Sequence, residues 1–186
     1  MREGETGVPT DEELALGIQQ GHMQALAALV ERHHHALIGF LYRMTGGNRA
    51  LAEDLAQETF LRVLRAIGQY QHPRPFKPWL YAIAANMARD GFKSAKQRYA
   101  AALLEDDERG PAADERPEEV LIDLDEEQQV ARALRRLPDH QRAVVILRYY
   151  QELSLAEIAE ALNIPVGTVK SRLSIGLERL RTLLVE

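Results

Sequence analysis

Apolar side chains recur at three- and four-residue intervals along most of the chain and nowhere alternate with period two. Leu14 and Ile18, then Leu26, Leu29, Val30, Leu37, Ile38, Leu41 and Tyr42, follow helical spacing. Thr10-Asp-Glu-Glu13 has the spacing of a capping box, with Gly21-His22 breaking a short helix from a long one. Thr45-Gly46-Gly47 supplies a stop for the long helix. Asn48 is placed to cap the next, from Arg49 to about Gly68, whose apolar face is Leu51, Leu55, Phe60, Val63, Leu64 and Ile67. Gly68 to Pro75 reads as a loop, because Pro73 and Pro75 push the residues before them out of helical geometry. A helix from about Phe76 to Ser94 follows, with Pro78 tolerated in its first turn. The pattern predicts four helices around one core.

After a gap the helical pattern resumes near Asp125. Val130, Ala133, Leu134 and Leu137 form a stripe that Pro138 ends, and Asp139 is placed to cap a helix carrying Val144, Val145 and Leu147. Ser154-Leu-Ala-Glu157 is a second capping box, opening a helix with Leu155, Ile158, Ala159 and Leu162 on one face. Asn163-Ile-Pro165 is a tight turn, and the last helix points Val169, Leu173, Leu177 and Leu180 inward. Two short helices, a tight turn and the small Ala159 at the crossing are the layout of a helix-turn-helix. In such a unit the early outward positions of the second helix, Thr168, Lys170, Ser171, Arg172 and Ser174, meet bases and phosphates. An ordinary αα-hairpin explains the stripes equally well, but not the polar cluster.

The prediction is an all-α protein of two small helical domains, 10–99 and 125–186, the second holding the helix-turn-helix. Between them, 100–124 combines charge and proline with few apolar side chains (Glu105-Asp-Asp-Glu108, Gly110-Pro111, Pro117-Glu-Glu119), the composition of a flexible acidic linker. That linker explains a net charge of -5 that otherwise argues against nucleic acid. Residues 1–98 carry 12 Lys and Arg against 10 Asp and Glu; 99–127 carry 2 against 12; 128–186 carry 9 against 6. Both flanks are mildly basic, and the local field decides encounter. The absence of Cys among 186 residues excludes disulfides, Cys-based zinc sites and thiol redox sensing. No run approaches the roughly 18 apolar residues of a membrane span, so a soluble cytoplasmic chain without membrane insertion is expected.

The richest stretch is Tyr70 to Tyr99. It holds the only Trp, Tyr70, Phe76, Tyr81, Phe92 and Tyr99, with Arg74, Lys77, Arg89, Lys93, Lys96 and Arg98 against Asp90 alone. Rings interleaved with cations suit a single nucleic-acid strand, since bases stack and phosphates meet Lys and Arg. An amphipathic core helix with a solvated basic face fits the composition as well.

Four motifs in order decide between these readings: Asp54-Leu-Ala-Gln-Glu-Thr-Phe-Leu61, Phe76-Lys-Pro-Trp-Leu-Tyr-Ala-Ile-Ala-Ala-Asn86, Leu137-Pro-Asp-His-Gln-Arg142, and Leu153-Ser-Leu-Ala-Glu-Ile-Ala-Glu-Ala-Leu162 running into Pro165-Val-Gly-Thr-Val-Lys-Ser-Arg-Leu173. Together they resemble a bacterial sigma factor of the extracytoplasmic-function (group 4) type, over nearly the whole chain. The resemblance implies that 10–99 is the region 2 domain and 125–186 the region 4 domain. It implies that Asp54, Gln57, Glu58 and Leu61 dock on the clamp helices of core RNA polymerase, with the polymerase flap as a further partner. It implies that Tyr70, Arg74, Phe76, Lys77, Asn86, Arg89 and Lys93 capture the melted strand of the −10 element. Arg148, Thr168, Lys170, Ser171, Arg172 and Ser174 would read −35 duplex. An anti-sigma factor is the family's frequent inhibitor.

Within the strand-side set, Trp79, Leu80, Ile83 and Met87 have the spacing of a buried face, which makes Tyr70 a better stacking candidate than Trp79. Asn86 lies one position from that face, as a base contact or as a satisfied helix-contact amide. The chain departs from the family in the two prolines of its 70–76 loop, and in Ile175 and Leu177, where relatives often carry Arg. Ile175 then serves packing or a protein partner.

A stand-alone helix-turn-helix regulator is the alternative, and it leaves the Asp54–Leu61 motif unexplained. A metal site on Glu31, His33, His34 and His35 fails because consecutive helical residues point about 100° apart. No metal, cofactor or catalytic constellation is expected, and the chain is expected not to be an enzyme.

Overall fold

The structure, a computed structural model, describes the backbone of residues 8–105 and 124–185 and the side chains of 8–91 and 129–185. Among the described residues there are helices and no strands. They are α1 (Asp11–Gln19), α2 (Met23–Met44), α3 (Arg49–Ala66), a 3-10 turn at Ile67–Gln69, α4 (Phe76–Glu105), α5 (Leu124–Arg136), α6 (Asp139–Tyr149), α7 (Leu155–Leu162) and α8 (Val166–Val185).

The local signals act as their chemistry requires. Thr10 and Glu13 form a reciprocal capping box at α1, as do Ser154 and Glu157 at α7. Each satisfies two orphan helix N–H groups and contributes about 1 kcal/mol. Asn48 caps α3 by accepting from the Leu51 N–H at 3.0 Å. Gly46 and Gly47 carry positive φ (71° and 96°), the left-handed geometry that stops α2.

Two expectations are corrected. The helix from Phe76 runs to Glu105, eleven residues past the expected end near Ser94, so the start of the proposed linker is helical. Its remainder, 106–123, lies outside the described residues. Asp139 is not a cap: Pro138 holds the N-cap position, and the Asp139 carboxylate pairs with Arg142 one turn on.

In the first unit Leu14, Ile18, Leu29, Leu37, Phe40, Leu41, Leu55, Val63, Leu80 and Tyr81 are buried together. Phe40 and Tyr81, both fully enclosed, meet edge to face at 5.2 Å. This core is not closed at the domain boundary. Val144, Ile146, Leu147, Leu153, Ile158, Ala161 and Val169 belong to the same apolar cluster, with α7 lying on α4 and α6 on α2. A smaller cluster of Ala133, Leu134, Leu137, Val145 and Leu180 joins α5, α6 and α8.

α1 is held by charge as well as by packing. The Asp11 carboxylate accepts from Arg32 and lies 2.7 Å from His33 Nε2, whose ring is buried. Burial alone raises the Asp11 pKa, but hydrogen bonds and charge from His33 and Arg32 outweigh it, leaving the group below its ordinary 3.8. The unfolded carboxyl therefore takes up a proton first as pH falls. Asp11 stabilises the fold above the ordinary value, and that contribution is lost as pH drops through the lowered one. The stability gap between wild type and Asp11→Asn, read by urea denaturation, is expected to shrink as pH falls below about 5.

Candidate nucleic-acid and polymerase surfaces

α3 buries Ala52, Leu55, Ala56, Thr59 and Val63, and the Thr59 hydroxyl donates to the Leu55 carbonyl at 2.7 Å. The opposite face presents Asp54 and Gln57 to solvent, Glu58 half-buried, and Leu61 with 47% of its surface exposed. Leu61 thus stands exposed within a polar stripe, and among the described residues nothing covers its outer side. Glu58 accepts from Arg62 Nε at 3.3 Å and Arg65 Nη1 at 3.4 Å, pairs one and two turns further along α3.

Those two arginines line a concavity of about 370 Å³ with Ala66, Gln69, Ile83 and Asn86, between the end of α3 and α4. Asn86 stands exposed at its edge and accepts from Arg89 Nη1 at 3.3 Å through Oδ1, leaving its amide N–H groups for another acceptor. The strand-side set expected from sequence contained Asn86 and Arg89 and missed Arg62, Arg65 and Gln69. The missed signal was the charge pattern: Arg62 and Arg65 lie four and seven residues after Glu58, so they extend the Asp54–Leu61 face toward α4.

The aromatic part of the expectation is corrected. Tyr70 is 4% exposed and Phe76 fully buried. Their rings meet at 5.8 Å, and Trp79, half-buried, packs on both at 5.3 and 5.7 Å. The Tyr70 hydroxyl donates to the Arg74 carbonyl. Burial, followed by the nearby Glu12 and Asp11 charges, pushes its pKa up to about 12. No ring face of Tyr70 or Phe76 is open to a base in this arrangement. α1 fixes the loop they anchor: the Gln19 amide donates to the Ile67 and Tyr70 carbonyls, each at 2.7 Å, and Glu12 accepts from the Phe76 N–H at 2.9 Å. Of the loop cations, Arg74 pairs with Glu160 and Lys77 donates to the Gln151 carbonyl at 2.6 Å, both partners lying on the second unit. Lys93 lies on α4, and its side chain is outside those described.

In the second unit Asn163 ends α7 in the left-handed conformation (φ 51°), turning the chain into α8. Val169, Gly176 and Leu180 are buried. A Cβ on Gly176 would sit 3.2 Å from a Val145 methyl and 3.5 Å from the Gln141 Cβ, so α6 and α8 cross closely at this glycine and a larger residue would have to push Val145 aside. The opposite side leaves Lys170, Ser171 and Ser174 exposed, with Thr168 and Arg172 half-buried. Arg148 ties the end of α6 to the following turn, donating to the Leu153 carbonyl at 2.9 Å. Ile175 is exposed, and Leu177 is partly buried against the smaller core cluster.

Sigma-70 region 2 matches residues 29–98, and Sigma-70, region 4 matches 127–180. The chain belongs to the extracytoplasmic-function RNA polymerase sigma factors. It is 36% identical over 174 residues to SigW of Bacillus subtilis, covering 88% of this sigma factor and 91% of that one. It is 36% identical over 183 residues to SigE of Mycolicibacterium smegmatis, covering 96% and 70% respectively. Among solved structures it resembles CnrH in complex with the cytosolic domain of CnrY, at a TM-score of 0.71, 28% identity and coverage of 94% and 96%. It also resembles the sigma factor RpoE in complex with the anti-sigma factor NepR from Bartonella quintana, at 0.64, 25% identity and coverage of 85% and 95%. The α3 face and the concavity of this sigma factor fall in the region 2 match, and Arg148 and the outward face of α8 in the region 4 match.

Proposed function

We propose that this sigma factor binds core RNA polymerase through the outward face of α3 and directs promoter-specific initiation of transcription. α8 reads the −35 element as duplex, and the side of α4 facing the concavity captures a strand of the −10 element. The observation that carries the reading is the pair of uncovered faces, Asp54-Gln57-Leu61 on α3 and Lys170-Ser171-Ser174 on α8. Among the described residues their polar side chains have no hydrogen-bond partner on another element; the Ser171 hydroxyl donates to the Thr168 carbonyl within α8.

The chemistry is non-covalent. Unpairing and unstacking a base costs on the order of a few kcal/mol, which contacts in a site for the exposed base must offset. Asn86 and Gln69 supply donors and acceptors for a base edge, and Arg62, Arg65, Arg89 and Lys93 supply the salt-dependent phosphate term. Tyr70 and Phe76 act by holding the loop, and Ile83 gives the concavity an apolar wall. The solved relative bound to the anti-sigma factor NepR supports an anti-sigma partner for this chain as well. Among the described residues no helix is long and apolar enough to cross a membrane, which fits action in the cytoplasm.

The test separates the two readers. Lys170→Ala is expected to weaken binding of −35 duplex by about 1–3 kcal/mol and to leave opening of the bound promoter unchanged. Asn86→Ala is expected to slow promoter opening and to leave duplex affinity unchanged. Gel-shift titration and permanganate reactivity of unpaired thymines measure the two steps. Equal effects of both substitutions on duplex affinity would count against the division.

A further inference from the structure

We propose that Ile175 is a sequence-reading residue of α8, selecting a thymine of the −35 duplex through its 5-methyl group. This role rests on the reading above, in which the outward face of α8 lies in the major groove, and adds to it the base that one side chain prefers.

Ile175 has 44% of its surface exposed. Leu173 and Leu177 on either side of it pack against the apolar clusters, and Ile175 belongs to neither cluster. The next residue, Gly176, is buried against Val145 and Gln141 of α6, which fixes the backbone of α8 at this point. Ile175 follows Ser171 by four residues, one helical turn, and so shares its side of α8. Residues 170–175 span about 7.5 Å of helix axis, which fits inside a major groove about 12 Å wide. The flanking cations do not crowd that place. Arg179, one turn on, donates to the Gln141 side-chain oxygen at 3.0 Å, and Arg172 is half-buried. The next exposed side chain along α8 is Glu178, whose carboxylate the phosphates repel. Ile175 therefore closes the base-facing stretch that Lys170, Ser171 and Ser174 open.

An isoleucine in that place chooses its base by what it lacks. It has no donor or acceptor, so a purine edge or the cytosine amino group pressed against it loses water and gains no hydrogen bond. Thymine alone presents an apolar group to the major groove, the C5-methyl. Burying that methyl against the side chain is favourable, and β-branching keeps Ile175 in one preferred χ1 rotamer on a helix, so little freedom is lost in the contact. The neighbouring serines cannot make the same choice. A serine hydroxyl accepts from or donates to any base edge, and the Ser171 hydroxyl already donates to the Thr168 carbonyl at 3.0 Å.

The test uses holoenzyme reconstituted from the full chain and core polymerase. Holoenzyme selects bound duplexes from a random-sequence pool, and the enriched −35 sequence is read for the unsubstituted chain, Ile175→Ala and Ile175→Arg. One position is expected to require thymine with the unsubstituted chain and to lose its preference with Ile175→Ala. With Ile175→Arg it should shift to guanine, whose O6 and N7 accept from a guanidinium. Deoxyuridine in place of that thymine removes the methyl and keeps every pairing group. It should weaken binding by the unsubstituted holoenzyme about fourfold, the equivalent of one buried methyl-sized group, and leave the Ile175→Ala holoenzyme unmoved. All three chains should unfold at the same temperature, because the residue packs in neither cluster. Equal affinity for thymine and deoxyuridine duplexes would overturn the proposal. So would a base preference that Ile175→Ala leaves intact while weakening the hold on core polymerase, which would make Ile175 a protein contact. Failure of the functional reading looks different: no sequence is enriched with any of the three chains, which would overturn both.

Discussion

Leu61→Arg is expected to abolish co-migration of the chain with core RNA polymerase while leaving its thermal unfolding unchanged. Leu61 is 47% exposed on α3 and carries no packing role in the fold, so a surface change there should move stability by less than about 0.5 kcal/mol. In a docked interface the same leucine, ringed by Asp54, Gln57 and Glu58, would be the desolvated centre of the patch. Truncating or charging such an anchor costs about 2–4 kcal/mol, on the order of 30- to 700-fold in affinity. Native gel titration with core enzyme reads the loss. Retained binding would move the docking surface away from α3.

The largest structural effect is expected from Phe40→Ala. Phe40 is fully enclosed, makes an edge-to-face contact with Tyr81, and lies in the apolar cluster that runs from the first unit into the second. Removing a buried phenyl ring leaves a cavity and typically costs about 3–5 kcal/mol. Against a total of about 5–15 kcal/mol for a domain, the variant should be partly unfolded at moderate temperature. Urea denaturation followed by circular dichroism should show the midpoint falling with the slope unchanged. A midpoint within experimental error of wild type would mean that the shared core does not bear on stability.

Local chemistry made much of this fold legible in the sequence. The capping boxes Thr10–Glu13 and Ser154–Glu157 and the stop at Gly46–Gly47 depend only on residues within one turn, so spacing sufficed. The end of α4 did not yield to the same reasoning. Ala95, Ala100, Ala101, Ala102, Leu103 and Leu104 are strong helix formers with no glycine or proline among them, and they carry the helix past Ser94 to Glu105. Asp139 looked like a cap because its position after Pro138 allowed it; Pro138 itself takes the N-cap position, and the carboxylate pairs with Arg142 one turn on in the same helix.

The candidate surfaces divide in the same way. The outward residues of α3 and α8 follow from helical periodicity alone. Tyr70 and Phe76 misled because aromatic residues among cations look alike whether the rings stack on bases or on one another. Contacts with Trp79 and with α1 draw them into the core. The contacts between the two units were invisible: Lys77–Gln151, Arg74–Glu160 and Ala36–Gln151 join residues 74, 86 and 115 positions apart, which no local pattern reports.

The most direct measurement of the central claim is a single-round transcription reaction containing purified chain, core RNA polymerase and duplex DNA with a candidate promoter. The account predicts a discrete transcript that requires the chain, is lost with Leu61→Arg and is reduced with Lys170→Ala. A chain that binds duplex tightly by itself, yet gives core polymerase no new start site, would contradict the account and favour a regulator that acts without polymerase.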